Sequence, residues 1–171
     1  EQIYHVVNRG VDKRVIFNDD QDYLRFIHNL FEFNDENPAL NMWYAVKTGN
    51  SDIVNHYDNN KTRELLVDIL AFCLMPNHYH LLVAPRKEKA LSVFMKKIGI
   101  GYAKYFNNKY ERTGTLFERR YKSVLVQKHA HFLYVPFYIH LNPLDLIMPS
   151  WRQGKIDDTK KAISFLKNYR W

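Results

Sequence analysis

Cysteine is almost absent from this 171-residue chain, which contains Cys73 and no other. A lone cysteine excludes a disulfide within the chain and any multi-cysteine zinc site, and it fits a reducing cytoplasm. Long apolar runs are also missing, because none approaches the roughly 20 residues that a helix needs to cross a bilayer. No signal peptide is visible, and since the sequence begins with Glu1, its true N-terminus is undetermined. We therefore expect a cytoplasmic protein without a membrane partner.

Acidic residues are in the minority: 18 Asp and Glu stand against 25 Lys and Arg, which gives a formal net charge of +7 and a pI near 9.4. Such an excess favours a polyanionic partner, most often nucleic acid, although many basic proteins bind none. Hydrophobic residues make up 46% of the chain, enough for a folded core and too many for a disordered protein. At this length we expect a single domain over 1–171.

Hydrophobic periodicity predicts an α+β fold. Strands are predicted at 3–9, 65–75 and 78–84 and after the basic turn in 111–127. Helices are predicted at 23–33, 89–110 and 129–141, with a helical tail at about 150–171. Residues 34–64 are rich in Asn, Asp and Gly, which indicates a loop-rich excursion. The order of the core elements matches βαββαβ, a ferredoxin-like antiparallel sheet, with the helix at 129–141 on its open face.

The stretch MPNHYHLLV, residues 75–83, places two histidines on an inner strand. Side chains alternate along a strand, so His78 and His80 share one face while Tyr79 lies on the other. Imidazoles are costly to bury without partners. The pair therefore suits a metal ion or a phosphate, and it also suits two ordinary structural histidines.

The helix at 129–141 could supply the remaining groups of a reactive site. Tyr138 and Asn142 are four residues apart, so they lie on one helix face. Two imidazoles and one amide oxygen would give three protein ligands, a donor set that suits Mg²⁺ or Mn²⁺ without excluding Zn²⁺. A tyrosine beside such a cation could attack a phosphodiester and form a covalent phosphotyrosine.

Other assignments remain open for these residues. Tyr134, one turn earlier on the same face, and Tyr121 compete with Tyr138 as nucleophiles, and Asn142 could serve only to end the helix before proline. His140 lies about 200° around the helix from Tyr138 and is not expected to be a ligand. His5, on the first strand, could adjoin the site or could be an ordinary core or surface residue.

Basic residues with aromatic neighbours predict a groove that follows a nucleic-acid backbone. Arg120 and Lys122 are expected to share one face of the last strand, with Arg119 and Tyr121 on the other. The alternative is a charged strand that simply faces solvent. The candidate DNA-binding residues are Arg9, Lys13, Arg14, Arg112, Arg119, Arg120 and Lys122.

Three motifs, MPNHYHLLV (75–83), GTLFERRYKSVLV (114–126) and YIHLNP (138–143), occur in an order that resembles the REP-associated tyrosine transposases. These are relatives of the single-tyrosine transposases within the HUH endonuclease superfamily. The opening YHVVNRGVDKRVIF (4–17) also resembles the start of that family, so the resemblance covers most of residues 3–145.

The resemblance implies a role for each candidate residue. His78, His80 and Asn142 would hold a divalent metal, Mg²⁺ or Mn²⁺, and Tyr138 would be the nucleophile. The enzyme would cleave and rejoin single-stranded DNA near hairpin repeats, leaving a 5′-phosphotyrosine and a free 3′-OH. Its partner would be single-stranded or hairpin DNA, and it would act as a monomer or homodimer near the nucleoid of a prokaryotic cell.

The chain also departs from the family pattern at the tyrosine helix. Pro136 and Phe137 stand where a non-proline and a basic residue are usual, and LDLI (144–147) replaces a basic VRA-like segment. These departures motivate an alternative, a nucleic-acid-binding protein on the same fold that no longer cleaves. A third interpretation, a zinc-dependent hydrolase that uses water, predicts cleavage that needs His78 and survives loss of Tyr138.

Overall fold

The computed structural model describes residues 2–37 and 63–171, so most of the predicted excursion at 34–64 lies outside the described residues. None of the helices in these two ranges combines the length and the apolar character needed to cross a bilayer. The strands are β1 Tyr4–Arg9, β2 Val67–Met75, β3 His78–Pro85 and β4 Lys122–Leu125. The α-helices are α1 Asp20–Glu32, α2 Ala90–Lys109, α3 His129–Leu141 and α4 Thr159–Asn168. Short 3-10 turns cover Val11–Lys13, Asn142–Leu146 and Pro149–Gln153.

The four strands form one antiparallel sheet in the order β2-β3-β1-β4. This is the strand order of a ferredoxin-like fold, so the predicted α+β class is confirmed. The histidine-bearing strand β3 is an inner strand, as predicted, and its register with β1 sets His80 opposite Val7 and His78 opposite Arg9. A bulge in β2 falls between Ile69 and Ala71.

Apolar side chains on the two faces of the sheet form separate clusters. On one face, Val6 and Tyr79 are fully buried against side chains of α1 and α2 such as Phe26 and Phe94. The opposite face contributes Ala71, Cys73, Met75 and Leu82, which pack against Val135 and Ile139 of α3. Helix α3 therefore covers part of the second face, where the sequence placed it.

The last strand is shorter than its sequence suggests. Strand β4 begins at Lys122, so Arg119 and Arg120 precede it, and the predicted sharing of strand faces in this segment is wrong. The backbone carbonyl groups of Arg119 and Arg120 are bonded to a side chain and not to the backbone of a neighbouring strand. Asn8 Nδ2 donates to their oxygens at 3.1 and 2.6 Å.

The C-terminal helix also ends early, at Asn168. Asp158 caps its start by accepting a hydrogen bond from the Lys161 amide. Beyond the helix, Tyr169 Oη donates to the Leu74 carbonyl at 2.7 Å, and the Leu74 amide donates to the Trp171 carbonyl at 3.1 Å. Tyr169 and Trp171 are therefore bonded to β2 and do not continue the helix.

Substitution by alanine should have opposite effects on stability at the two glycines of α2. A Cβ at Gly99 would meet no atom within 4 Å, whereas a Cβ at Gly101 would lie 2.2 Å from Phe33 Cε2. Alanine is favoured over glycine in a helix by about 1 kcal/mol, so Gly99→Ala should raise the free energy of unfolding by roughly that amount. Gly101→Ala should lower it by about 1–3 kcal/mol, because the Phe33 ring must move. Chemical denaturation measures both changes, and a shift of the same sign in both variants would contradict this packing.

Candidate active site

The two histidines of β3 are buried on the face of the sheet that α3 covers. His78 is 7% exposed and His80 is 5% exposed, and their ring centres are 5.1 Å apart. Tyr79 points into the opposite core with no exposed surface. The strand alternation thus places both imidazoles side by side, as the sequence predicts.

The turn before β3 determines the tautomer of His78. Asn77 Nδ2 donates to the Lys13 carbonyl at 3.2 Å, which leaves Asn77 Oδ1 to face His78 Nδ1 at 2.6 Å. An amide oxygen can only accept a hydrogen bond, so His78 Nδ1 carries the proton. The lone pair of His78 is therefore on Nε2, where it can act as a ligand.

His80 has a comparable partner in β1. His5 Nε2 lies 2.9 Å from His80 Nδ1, and the two rings stack with their centres 5.1 Å apart. A proton on His80 Nδ1, donated to His5, would leave His80 Nε2 free in the same way as in His78. His5 therefore adjoins the site, which the sequence left open.

Burial keeps all three imidazoles neutral near pH 7. It lowers the pKa of His5 and of His78 to about 4, and that of His80 to about 2. Nearby cations act in the same direction, among them Lys122 at His5 and Arg9 at His78. A neutral imidazole keeps the lone pair that metal binding requires.

These shifts predict how stability depends on pH in metal-free protein. In the unfolded chain the histidines take up protons near pH 6.5, whereas in the folded protein they stay neutral down to about pH 4 or below. The unfolded state binds more protons in that interval, so the free energy of unfolding should fall by a few kcal/mol as the pH drops from about 7 to 4.

Denaturation between pH 7 and pH 5 in chelator isolates this effect, because carboxylates titrate mostly below that window. His80→Gln removes one of the three groups and should reduce the pH dependence. An identical loss of stability in the wild type and in His80→Gln would contradict the assignment.

Helix α3 brings Tyr138 to the two imidazoles. The ring centre of Tyr138 is 5.6 Å from that of His80 and 6.0 Å from that of His5. Pro136 lies inside the helix without ending it, and Val135 and Ile139 anchor the helix in the core. Tyr134 is 59% exposed one turn away, with its ring centre 6.0 Å from Tyr138.

Asn142 is buried immediately after α3. Its side chain has no exposed surface, and neither amide atom has a hydrogen-bond partner among residues 2–37 and 63–171. The Asn142 amide lies near His78, where it partly offsets the effect of burial on the pKa of that imidazole. A buried amide oxygen near an imidazole suits a cation ligand. The described ranges contain no cluster of three or more His, Cys, Asp or Glu side chains that could hold a metal.

A cavity of about 300 Å³ is lined by the imidazoles and by Tyr138, whereas Asn142 is not among its lining residues. Residues that the sequence predicted and that line it are His78, His80, Tyr138, Arg9 and Lys122. The other five basic candidates are not among its lining residues: Lys13, Arg14, Arg112, Arg119 and Arg120. The Arg112 side chain, for example, donates a hydrogen bond to Asn107 Oδ1 at 2.7 Å near the end of α2.

Arg152 is a cavity residue that the sequence did not indicate. Its guanidinium carbon lies 5.5 Å from the ring centre of Tyr138, and it pairs with Asp145. Asp145 belongs to the LDLI segment, which replaces the usual basic segment of the family. Through its ion pair it holds the Arg152 guanidinium beside Tyr138. No periodic pattern marks Arg152, because it lies in a short 3-10 turn.

The chain matches the model of the IS200-like transposases over residues 44–142, which is more than half of its length. It belongs to the IS200-like transposase family. None of the curated proteins compared with this transposase matches it significantly. The matched range contains His78, His80, Tyr138 and Asn142, whereas His5 and Arg152 lie outside it.

Two solved structures resemble this IS200-like transposase. One is a REP-associated tyrosine transposase bound to a REP hairpin, with 11% identity, coverage of 85% of this chain and 68% of that chain, and a TM-score of 0.50. The other is a putative transposase from Deinococcus radiodurans R1, with 14% identity, coverage of 80% and 88%, and a TM-score of 0.46. At such identities the first likeness shows a shared fold, which confirms the fold expected from the sequence motifs.

Proposed function

We propose that this transposase cleaves and rejoins single-stranded DNA through a covalent 5′-phosphotyrosine on Tyr138. The observation that carries the proposal is the convergence of the Tyr138 ring with the His80 and His5 rings, 5.6 and 6.0 Å away, in one cavity. A nucleophile beside groups that can hold a cation is an arrangement suited to covalent phosphodiester chemistry.

In the proposed step, Tyr138 Oη attacks the phosphorus of a phosphodiester. The Oη–P bond forms, the P–O3′ bond breaks, the phenol proton leaves, and the released 3′ oxygen takes up a proton. The phosphotyrosine conserves the bond energy, so a 3′-OH can later attack it and restore a DNA strand. Packing of Val135 and Ile139 fixes the helix that carries Tyr138, which limits the motion of the nucleophile.

We propose that His78, His80 and Asn142 hold a divalent cation, Mg²⁺ or Mn²⁺, in the working enzyme. Two neutral imidazoles, each with its proton on Nδ1, would present their Nε2 atoms to such an ion, and the buried Asn142 amide near His78 could add an oxygen ligand. When bound, the ion would withdraw charge from a non-bridging phosphate oxygen. Asn77 and His5 would orient the two imidazoles through their hydrogen bonds.

We propose DNA as the partner, in single-stranded or hairpin form. Arg9 and Lys122 supply positive charge at the cavity, and the chain carries a formal net charge of +7. The solved transposase with the similar fold is bound to a REP hairpin, which supports the hairpin as a first substrate to test. A chromosomal substrate would place the protein at the nucleoid of a prokaryotic cell, as a monomer or a homodimer.

The test is an oligonucleotide that contains a hairpin with single-stranded flanks, labelled at one end, with Mn²⁺ or with chelator. A 5′-phosphotyrosine keeps the downstream fragment on the protein, so a 3′ label should migrate with the protein on a denaturing gel. A 5′ label should appear in a free fragment that ends in 3′-OH. Binding without any adduct would support the non-cleaving alternative, and cleavage without an adduct would support a water-using hydrolase.

A further inference from the structure

A guanidinium group lies beside the proposed nucleophile. Arg152 belongs to the turn Pro149–Gln153, and its guanidinium carbon is 5.5 Å from the ring centre of Tyr138. The side chain lines the same cavity as His78 and His80 and is 44% exposed, so a ligand in the cavity can reach it.

Asp145 fixes the orientation of this guanidinium. Arg152 Nε donates to Asp145 Oδ1 at 2.9 Å, and Arg152 Nη2 donates to Asp145 Oδ2, so the contact is bidentate. The buried Trp151 donates its indole N–H to the same Oδ1 at 2.7 Å. Asp145 raises the pKa of Arg152, and Tyr138 acts in the same direction, which is consistent with a guanidinium that also faces the tyrosine. The group is therefore held in place before any substrate binds.

We infer that Arg152 is a catalytic residue that binds a non-bridging oxygen of the phosphodiester attacked by Tyr138, with Asp145 as its positioning residue. This inference rests on the proposed function of the site. Negative charge grows on the phosphoryl oxygens as the Oη–P bond forms and the P–O3′ bond breaks. A preorganised guanidinium stabilises that charge without reorganisation, and its planar donors match phosphate geometry better than an ammonium does.

The experiment measures single-turnover adduct formation by wild type, Arg152→Ala and Arg152→Lys. Removal of one preorganised donor should slow adduct formation by about 10²–10³-fold, and lysine should restore only part of the rate. Lys155→Ala, which removes an exposed cation just beyond the turn, is the matched control and should react like the wild type. Circular dichroism of each variant checks that the fold is kept.

A second substrate separates contact with phosphate from a structural role. In a methylphosphonate linkage, a neutral methyl group replaces one non-bridging oxygen at the scissile position. With the diastereomer that lacks the oxygen bound by Arg152, the penalty of Arg152→Ala should shrink to within about threefold of the wild type, because the contact is already gone. An equal penalty on the phosphodiester and on both diastereomers would overturn the inference.

Failure of the proposed function would be visible separately. If the wild type forms no adduct, Arg152 is tested by affinity for the same oligonucleotide in chelator. Arg152→Ala should then weaken binding at least about threefold while Lys155→Ala has no effect, and salt should reduce the difference. Unchanged affinity of Arg152→Ala in that case would overturn the inference as well.

Discussion

Tyr138→Phe should abolish the covalent protein–DNA adduct, with a loss of at least about 10³-fold in the rate of its formation. The substitution removes a single hydroxyl group and leaves the ring that contacts His5 and His80. Binding of the oligonucleotide should change little, because the surrounding cations are untouched. The loss should therefore appear in the rate constant of a single turnover and not in the dissociation constant.

Tyr134→Phe is the matched control for this experiment. Tyr134 lies one turn before Tyr138 on α3, but it is 59% exposed and does not line the cavity. The variant should form the adduct at nearly the wild-type rate. Equal adduct formation by Tyr138→Phe, or loss of the adduct in Tyr134→Phe alone, would remove Tyr138 from the role of nucleophile.

His80→Ala should reduce cleavage by about 10²–10³-fold, since a bound metal ion contributes several kcal/mol to stabilising the charge of the transition state. His80 is one of the two proposed imidazole ligands, and its partner His5 would lose its hydrogen bond at the same time. Titration with Mn²⁺ should show weaker metal binding by the variant, while affinity for the oligonucleotide in chelator should stay within a few-fold of the wild type.

His140→Ala provides the comparison, because His140 is an exposed histidine of the same helix that carries Tyr138 and does not line the cavity. It should keep both metal binding and cleavage. If His80→Ala bound Mn²⁺ as tightly as the wild type, the histidine pair would not be the metal site, whatever the effect of the variant on cleavage.

Part of this site follows from local rules that sequence carries well. Strand alternation is enough to place His78 and His80 on one face and Tyr79 in the opposite core. Helical spacing likewise predicts Tyr138 and Asn142 on one face, although Asn142 follows α3 and is not among the residues that line the cavity. Both rules involve residues within a few positions of each other, so neither depends on tertiary packing.

The remaining residues of the cavity depend on register and on turns. His5 meets His80 because β1 pairs with β3 in one particular register, and the same alternation that puts Arg9 at the cavity puts His5 there too. Arg152 lies near Tyr138 because of two 3-10 turns and its ion pair with Asp145, seven residues earlier. No periodic sequence pattern predicts either feature.

Basic charge was a poor guide to the position of individual side chains. Arg9 and Lys122 line the cavity, yet Arg112 is tied to Asn107 at the end of α2. Arg119 and Arg120 precede β4, because the Asn8 side chain holds their carbonyl groups. Composition indicates how much positive charge a chain carries. Where each charged side chain points depends on the local backbone conformation.

The most direct test of the account is a crystal structure of Tyr138→Phe with Mn²⁺ and an oligonucleotide that contains a hairpin. We expect an anomalous Mn²⁺ peak contacted by His78 Nε2, His80 Nε2 and Asn142 Oδ1, with a backbone phosphate between that peak and the aromatic ring at position 138. A Mn²⁺ peak away from both imidazoles, or a DNA path that leaves every phosphate outside the cavity, would contradict it.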